Sequence, residues 1–229
     1  MISVIVPTYN EAGSITPLVE RLAVSLAGRE WELVVVDDGS PDGTADIAAG
    51  LAPARPVRVV RRSGKAGLAS AVIAGMKVAR GDPLVVMDAD LSHPPEVVPG
   101  LVDAIDAGAD LAVGSRYVKG GGTRDWPMRR RVVSRVACMM GSVLVPVRDA
   151  TSGFFAIRRR AIDGVRLNAI GFKIGLEVIA RARAARIVEV PYTFRDRELG
   201  KSKFGRREIV QYVVQLGQIA RDKALGRLR

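Results

Sequence analysis

Two aspartates, Asp88 and Asp90, stand one residue apart after an apolar segment. Side chains two residues apart on a strand point the same way, so these carboxylates would converge and repel each other unless a cation lies between them. Hard divalent cations such as Mg²⁺ or Mn²⁺ take oxygen ligands, often one or two carboxylates together with substrate phosphates. The spacing therefore predicts a metal site for a diphosphate-bearing substrate, although an Asp-x-Asp pair also fits a capped turn with one solvated carboxylate.

Acidic side chains also follow two earlier predicted strands. Glu11 comes after the first strand, and Asp37 and Asp38 come after the second. A carboxylate at a strand end can accept hydrogen bonds from the base or ribose of a nucleotide, although each of these also fits an acidic turn. Three acidic strand ends in one sheet favour a nucleotide site more strongly than any one of them. The segment 63–67 lacks the Walker A spacing, and we predict a tight turn that brings Lys65 near the donor nucleotide.

The second half of the chain contains the phosphate-binding candidates. Residues 1–115 carry 9 Lys and Arg against 15 Asp and Glu, a net charge of −6, whereas residues 116–229 carry 26 against 9, a net charge of +17. Arg116, the Arg129-Arg130-Arg131 cluster and the segment 195–203 could bind phosphate oxygens or form a solvated basic face. The charge predicts an anionic partner. The absence of a nucleic-acid motif and the 5% aromatic content argue against nucleic acid.

The elements that must position these groups alternate between apolar strands and amphipathic helices. This alternation predicts an α/β fold with a mostly parallel central sheet flanked by helices, which binds ligands at the carboxyl ends of its strands. The predicted strands are Ile2–Val6, Glu32–Val36, Val57–Arg61, Leu84–Met87, Leu111–Val113, Phe154–Ile157 and Ile187–Val190. The predicted helices are Ile15–Leu26 with Ser14 as its N-cap, Ala45–Leu51, Leu68–Ala79, Glu96–Ala107, Arg129–Val145, Leu176–Ala184 and Glu208–Leu225.

Two of these helices, Arg129–Val145 and Glu208–Leu225, are basic and amphipathic, and they could lie in a membrane interface or pack against the sheet. No uninterrupted apolar segment approaches the roughly 20 residues that span a bilayer, and the first residues resemble a strand rather than a secretory leader. The single cysteine, Cys138, excludes an internal disulfide and favours a reducing compartment. With 229 residues and 48% hydrophobic content, the chain can form one domain with a sizeable core.

The motifs together resemble family 2 glycosyltransferases, and in particular the polyprenyl- and dolichyl-phosphate mannose synthases. The early motifs are Val6-Pro7-Thr8-Tyr9-Asn10-Glu11, Val36-Asp37-Asp38-Gly39-Ser40, Gly64-Lys65-Ala66-Gly67-Leu68, Asp88-Ala89-Asp90-Leu91-Ser92-His93 and Gly114-Ser115-Arg116-Tyr117. The later motifs are Thr151-Ser152-Gly153-Phe154-Phe155, Glu189-Val190-Pro191 and Arg197-Glu198-Leu199-Gly200-Lys201-Ser202-Lys203. The resemblance implies one GT-A catalytic domain over residues 1–229. Its nucleotide-sugar and metal half would be 1–115, and its acceptor and membrane-facing half would be 116–229.

The resemblance also implies roles for single residues. The donor, GDP-mannose, would be bound by Pro7, Tyr9, Glu11, Val36, Asp38, Lys65, Asp88, Ala89, Asp90, Arg197 and Lys203. The Mg²⁺ or Mn²⁺ ion would be bound by Asp88, Asp90 and Ser92; many relatives carry Gln where this chain has Ser92, whose shorter side chain would need a water. The phosphate of a polyprenyl or dolichyl phosphate would be bound by Arg116, Arg130 and Ser134. The catalytic residues would be Asp90, Arg116 and Arg130.

The implied reaction is a single inverting displacement by the lipid phosphate, with GDP as the leaving group. A phosphate monoester has a second pKa of about 6, so it is already anionic near neutral pH and needs no general base. The protein would be peripheral, at the cytoplasmic face of a membrane, and would reach the membrane surface through its amphipathic helices or a membrane-anchoring partner subunit. Two alternatives stay open: transfer of glucose or another sugar from a UDP-sugar to the same lipid, and a non-catalytic basic binding protein.

Overall fold

The computed structural model of the protein describes residues 1–168, 173–195 and 206–228, and the side chains of 206–208 lie outside this description. The strands are β1 (Ile2–Thr8), β2 (Trp31–Asp37), β3 (Val57–Arg61), β4 (Leu84–Val86), β5 (Leu111–Ser115), β6 (Gly122–Thr123), β7 (Phe155–Ile157), β8 (Ile187–Pro191) and β9 (Thr193–Phe194). The α-helices are α1 (Ala12–Ser25), α2 (Thr44–Leu51), α3 (Leu68–Val78), α4 (Val98–Asp106), α5 (Met128–Ser142), α6 (Arg159–Ile162), α7 (Ile174–Arg181) and α8 (Arg206–Ala224).

Seven strands form one sheet in the order β3-β2-β1-β4-β7-β5-β8, and β6 pairs with β9 in a separate two-stranded sheet. Neighbours in the large sheet are parallel except at β7, which is antiparallel to both β4 and β5. Val4 on β1 pairs with Leu33 on one side and Val85 on the other, and all three are fully buried. Such continuous apolar strands are typical of a sheet covered on both faces. The predicted mostly parallel α/β sheet is confirmed.

The side chains of β1 alternate between two hydrophobic cores on the two faces of the sheet. Val4 and Val6 pack with α1 and α4, whereas Ile5 packs with α3, α7 and α8. Helix α3 lies close to the sheet because Gly75 has no side chain; a Cβ there would lie 2.4 Å from Ile5 Cγ2. Replacing a buried isoleucine such as Ile5 by alanine typically costs about 2–5 kcal/mol of folding free energy. These two cores hold the carboxyl ends of the strands in place.

Helix α1 begins at Ala12, so the prediction that Ser14 is its N-cap is wrong. Two N–H groups at the start of the helix instead find partners in the loop after β2 and at the first residue of α2. The Ala12 N–H donates to Asp42 Oδ2 at 3.1 Å, and the Glu11 N–H donates to Thr44 Oγ1 at 2.9 Å. Partners 30 and 33 residues away satisfy groups that a local cap would otherwise bind. The other predicted elements are present, with ends shifted by at most three residues.

Helices α5 and α8 expose much of their apolar surface. On α5 the buried residues are Cys138 and Gly141, whereas the exposed apolar residues on it and its C-cap are Met128, Val132, Val133, Val136, Met139, Met140 and Val143. On α8 the exposed apolar residues are Ile209, Val210, Val213 and Val214. Packing of the apolar face of α5 against the sheet, one of its two predicted placements, is therefore wrong. In the part of the chain that the structure describes, no helix is sufficiently long and apolar to cross a membrane.

Candidate active site

The Asp88-Ala89-Asp90 segment lies in a loop after β4, which ends at Val86. Strand alternation therefore does not orient the two carboxylates, and that part of the prediction is wrong. Asp90 is buried, and its Oδ1 accepts the Ser92 N–H at 3.0 Å, whereas the Asp88 side chain is 32% exposed. Leu91, directly after Asp90, has a left-handed φ of 61°, which turns the chain at that point. The loop thus presents one fixed and one accessible carboxylate.

His93 holds this loop in place. Its ring stacks on Phe154 with centroids 4.9 Å apart, and its Nδ1 accepts the Asp88 N–H at 3.0 Å. Burial lowers the pKa of His93 more than the nearby carboxylates raise it, so the imidazole is neutral and can accept this hydrogen bond. The Ala89 side chain packs into the core with Phe154, which leaves only its backbone available to a ligand. His93 therefore has a structural role.

The oxygens around this loop suit a hard divalent cation. Ser92 is buried, and within the described residues its Oγ has no hydrogen-bond partner. A buried hydroxyl without a partner costs about 1–3 kcal/mol, a cost that a ligand using this oxygen would remove. No three His, Cys, Asp or Glu side chains of the described ranges form a complete metal site. A cation bound by Asp88 and Asp90 would therefore need further oxygens from phosphates or water, as is usual for Mg²⁺.

The residues expected to line the nucleoside pocket lie at the carboxyl ends of β1 and β2. Pro7 and Val36 are partners in the β1–β2 register. Asp38, just after β2, is buried, and its Oδ2 accepts the backbone N–H groups of Ala66 and Gly67 at 3.1 and 2.9 Å. The carboxylate of Asp38 therefore holds the segment that contains Lys65.

The segment 63–67 is a bend and a short irregular stretch between β3 and α3, not a hydrogen-bonded tight turn, and it faces the end of β1. Lys65 Nζ lies 4.2 Å from the centroid of the Tyr9 ring. Glu11 lies beside this pair in the chain, and its Oε2 accepts the Ser14 hydroxyl at 3.2 Å. Four of the predicted donor positions, Tyr9, Glu11, Asp38 and Lys65, are therefore associated with one edge of the sheet.

Arg116 follows β5 and is bound on one edge by a buried carboxylate. Its Nε donates to Asp149 Oδ2 and its Nη2 to Asp149 Oδ1, both at 2.7 Å, and Nη2 also donates to Thr151 Oγ1 at 2.8 Å. Burial raises the pKa of Asp149, but the hydrogen bonds and the charge of Arg116 lower it by more. The pKa is therefore below its ordinary value, and the carboxyl is ionised. No sequence pattern predicts the role of Asp149, because its partner Arg116 lies 33 residues away.

Arg130 and Ser134, on α5, lie close to the same site. Arg130 Cζ is 4.1 Å from the centroid of the Trp126 ring, and Arg116 Cζ is 5.6 Å from it. Ser134 Oγ accepts the hydroxyl of Tyr117 at 2.8 Å. The three residues expected to bind the acceptor phosphate are therefore brought together through two aromatic side chains.

Lys173 is a site residue that the sequence analysis did not identify. Its Nζ donates to the carbonyl of Thr151 at 3.0 Å, next to the hydroxyl that Arg116 uses. Burial and the nearby Arg116 cation lower the pKa of Lys173 to about 8. Its backbone carbonyl accepts Gln215 Nε2 of α8 at 3.2 Å, so α8 holds this lysine in place.

The acidic loop and Arg116 lie close to each other. Asp88 Oδ2 lies 3.8 Å from His93 Nδ1, and the Phe194 ring lies 6.1 Å from the His93 ring and 5.7 Å from Arg116 Cζ. Asp88 and Asp90 follow β4, and Arg116 follows β5, so both groups lie at carboxyl ends of strands in the same sheet. Two further predicted donor residues, Arg197 and Lys203, lie outside the described residues.

Comparison with known proteins relates the chain to sugar transferases. The family described as "Glycosyl transferase family 2" matches residues 3–166. The chain is 48% identical over 216 residues to "Dolichol-phosphate mannosyltransferase" of Pyrococcus furiosus, a match that covers 93% of this chain and 61% of that protein. It is 45% identical over 242 residues to "Polyprenol monophosphomannose synthase" of Mycolicibacterium smegmatis, covering 99% of this chain and 91% of that protein.

The fold is similar to that of mannosyl-3-phosphoglycerate synthase from Rubrobacter xylanophilus. The TM-score is 0.67 at 19% sequence identity, and the match covers 100% of this chain and 76% of that one. This likeness confirms the predicted GT-A fold. The family match spans most of the chain and includes the acidic loop and Arg116, as the motif resemblance predicts. The chain therefore belongs to glycosyl transferase family 2.

Proposed function

We propose that the protein transfers a mannosyl group from GDP-mannose to the phosphate of a polyprenyl or dolichyl phosphate. The observation that carries this proposal is the closeness of two oppositely charged groups, the acidic loop and Arg116. Asp88 Oδ2 lies 3.8 Å from His93 Nδ1, and the Phe194 ring lies 6.1 Å from the His93 ring and 5.7 Å from Arg116 Cζ. The first group suits a metal-bound diphosphate, and the second suits another phosphate beside it. The names of the relatives support the sugar and the lipid class. The choice of GDP rests on the motif resemblance.

The nucleoside would lie over the carboxyl ends of β1 and β2, against Pro7, Tyr9 and Val36. Glu11 would accept hydrogen bonds from the base or ribose. Asp38 already accepts two backbone N–H groups, so its contribution is to shape the pocket wall through the Lys65 segment. Lys65, whose ammonium lies over the Tyr9 ring, could exchange that contact for the donor.

Asp88 and Asp90 would hold Mg²⁺ or Mn²⁺, with Ser92 contributing its buried hydroxyl directly or through water. When bound, the cation neutralises charge on the departing diphosphate. The Ser92 N–H orients the Asp90 carboxylate, and His93 orients the backbone of Asp88. This arrangement prepares the loop for a donor without further folding.

The acceptor phosphate is the nucleophile in this proposal. One of its oxygens bonds to C1 of mannose while the bond from C1 to the GDP oxygen breaks, GDP leaves with the electron pair, and C1 inverts. Arg130 and Arg116 supply the positive charge that holds the phosphate, and Ser134, which accepts from Tyr117, can donate its own hydroxyl hydrogen. No side chain has to remove a proton, because the lipid phosphate is already anionic near neutral pH, with a second pKa of about 6.

A membrane surface would bring the lipid to this site. Exposed apolar side chains lie on α5, the helix that also carries Arg130 and Ser134. Helix α8 exposes a second apolar group, and Tyr212 Oη on α8 donates to the Ala137 carbonyl on α5 at 2.7 Å. Apolar residues flanked by arginines favour an amphipathic helix lying in the interface of an anionic membrane. The cytoplasmic side and an anchoring partner subunit stay predictions.

The test is an assay with radiolabelled GDP-mannose and UDP-glucose in parallel, a polyprenyl phosphate in detergent, and Mg²⁺ or Mn²⁺. We expect label in the organic phase from GDP-mannose only, and we expect EDTA or Asp90→Ala to abolish it. Asp106→Ala, an exposed change at the end of α4, is the matched control and should keep full activity. Transfer from UDP-glucose alone would show that the donor is UDP-glucose and not GDP-mannose. If the protein bound neither donor, the proposed enzymatic function would be refuted.

A further inference from the structure

Trp126 lies against both arginines of the proposed acceptor site. Its indole centroid is 4.1 Å from Arg130 Cζ and 5.6 Å from Arg116 Cζ, and it makes an edge-on contact with the Phe194 ring at 5.1 Å. The residue is only 7% exposed although it lies in the segment between β6 and α5. A large aromatic side chain is therefore held firmly at the point where the two cations meet.

The two arginines are fixed in different ways. The guanidinium of Arg116 is bound by both oxygens of Asp149 and by Thr151, which compensates its charge and restricts its motion. Arg130 is half-buried in the first turn of α5, and an arginine side chain loses rotamer entropy when it binds a ligand. A guanidinium over an indole face gains about 0.5–2 kcal/mol, which favours one orientation before the ligand arrives.

We propose that Trp126 is a positioning residue for the acceptor phosphate, because its indole face holds the Arg130 guanidinium beside that of Arg116. The inference rests on the proposed function. It goes beyond that function in giving Arg130 its orientation and Trp126 a role in acceptor affinity. The contact with Arg130 is made by the ring face of Trp126, whose centroid lies 4.1 Å from Arg130 Cζ.

Steady-state kinetics of two variants test this role. Trp126→Leu removes the ring face, and we expect the KM for the polyprenyl phosphate to rise about 2- to 30-fold while the KM for GDP-mannose stays within about 2-fold. Trp126→Phe keeps an aromatic face without the N–H group and should restore most of the acceptor affinity. Equal changes in both KM values, or a Phe variant as impaired as the Leu variant, would overturn the proposal.

A binding measurement separates this inference from the transferase activity. The chain contains two tryptophans, Trp31 and Trp126, so Trp126 is the only one in a Trp31→Phe variant. We expect farnesyl phosphate to change its fluorescence and farnesol to leave it unchanged, with or without turnover. Arg130→Ala should weaken the response. Mannose transfer by this protein without any fluorescence change on phosphate binding would refute the role of Trp126 alone, whereas a normal response without transfer would refute the proposed donor or reaction.

Discussion

Both carboxylate oxygens of Asp149 bind the guanidinium of Arg116, at 2.7 Å each, and Asp149 is fully buried. Asp149 also accepts the backbone N–H of Arg116 at 3.0 Å, so one carboxylate fixes the strand end and the side chain together. A buried ion pair of this kind gives geometric precision rather than net charge. The excess positive charge for an acceptor phosphate must therefore come from neighbours, and Arg130 is a candidate because it contacts Trp126, as Arg116 does.

Asp149→Asn should destabilise the protein by about 3–5 kcal/mol at pH 7, because it leaves Arg116 buried without its counter-ion. The pKa of Asp149 is lowered in the folded protein, so its stabilisation is present above the ordinary aspartate pKa of about 3.9 and is lost as the pH falls through the folded value. The Asp149→Asn variant should lack this contribution to the unfolding free energy, which is lost at low pH. Urea unfolding at pH 7 and at lower pH measures both effects. Asp125→Asn, an exposed control, should behave as wild type, and an equally small loss for Asp149→Asn would contradict the role of the pair.

Cys138 should be chemically inert in the native protein. Burial raises the pKa of its thiol to about 11, with a further contribution from the Asp149 carboxylate, to which Sγ donates at 3.3 Å. Because the thiolate is the reactive form, alkylation by iodoacetamide at pH 8.5 should be at least about 100-fold slower in native protein than in urea. Native labelling should accelerate as the pH approaches 11. Similar rates in the native and unfolded proteins at pH 8.5 would show that the thiol is accessible.

Gly141→Ala should disrupt the packing of α5 against Ala150 and Tyr212. A Cβ at this position would lie 2.5 Å from Ala150 Cβ and 2.9 Å from Tyr212 Oη, so the helix or Tyr212 must move. We expect a loss of about 1–3 kcal/mol in unfolding free energy, measured in urea. Gly217→Ala on α8 is the matched control: no atom lies within 4 Å of its Cβ, so it should be neutral or stabilising by up to about 1 kcal/mol. Equal effects of the two changes would argue against tight packing at Gly141.

The exposed apolar residues of α5 and α8 should mediate vesicle binding. Val136→Asp and Val213→Asp place a charge on these surfaces and should reduce co-sedimentation with anionic phospholipid vesicles, because charged groups enter the interface at a cost and repel anionic lipids. Val24→Asp is the control, since Val24 on α1 is 78% exposed and lies on a different helix. A membrane role would be contradicted if the control reduced binding as much as the α5 and α8 changes.

Most of the sheet could be predicted from the sequence, because its strands are apolar and β-branched and its helices are amphipathic. Seven predicted strands are present, and the acidic motifs do follow β1, β2 and β4. What local patterns could not predict were contacts between distant segments. The Arg116–Asp149 pair depends on β7 inserting antiparallel between β4 and β5, and the start of α1 depends on Asp42. Lys173 was missed for the same reason, since only the folded chain brings it to Thr151.

The predicted orientation of Asp88 and Asp90 failed because β4 ends at Val86 and both aspartates lie in the loop after it, where strand alternation does not apply. The side chains are oriented instead by the left-handed residue Leu91 and by the hydrogen bond to His93. Neither the left-handed backbone of Leu91 nor the hydrogen bond to His93 produces a periodic pattern in the sequence. The roles that the motif resemblance implies for the residues of this loop stay predictions, whereas the physical reason offered for the orientation of the two aspartates was wrong.

The central claim is that a lipid phosphate is the nucleophile, and a transfer assay with two acceptors tests it most directly. Labelled GDP-mannose is incubated with a polyprenyl phosphate or with the corresponding polyprenol, and label in the organic phase is counted. We expect transfer to the phosphate only, a large loss with Arg130→Ala, and little change with Arg131→Ala, its exposed neighbour on α5. Transfer to the alcohol, or transfer to the phosphate that does not depend on Arg130, would contradict the account.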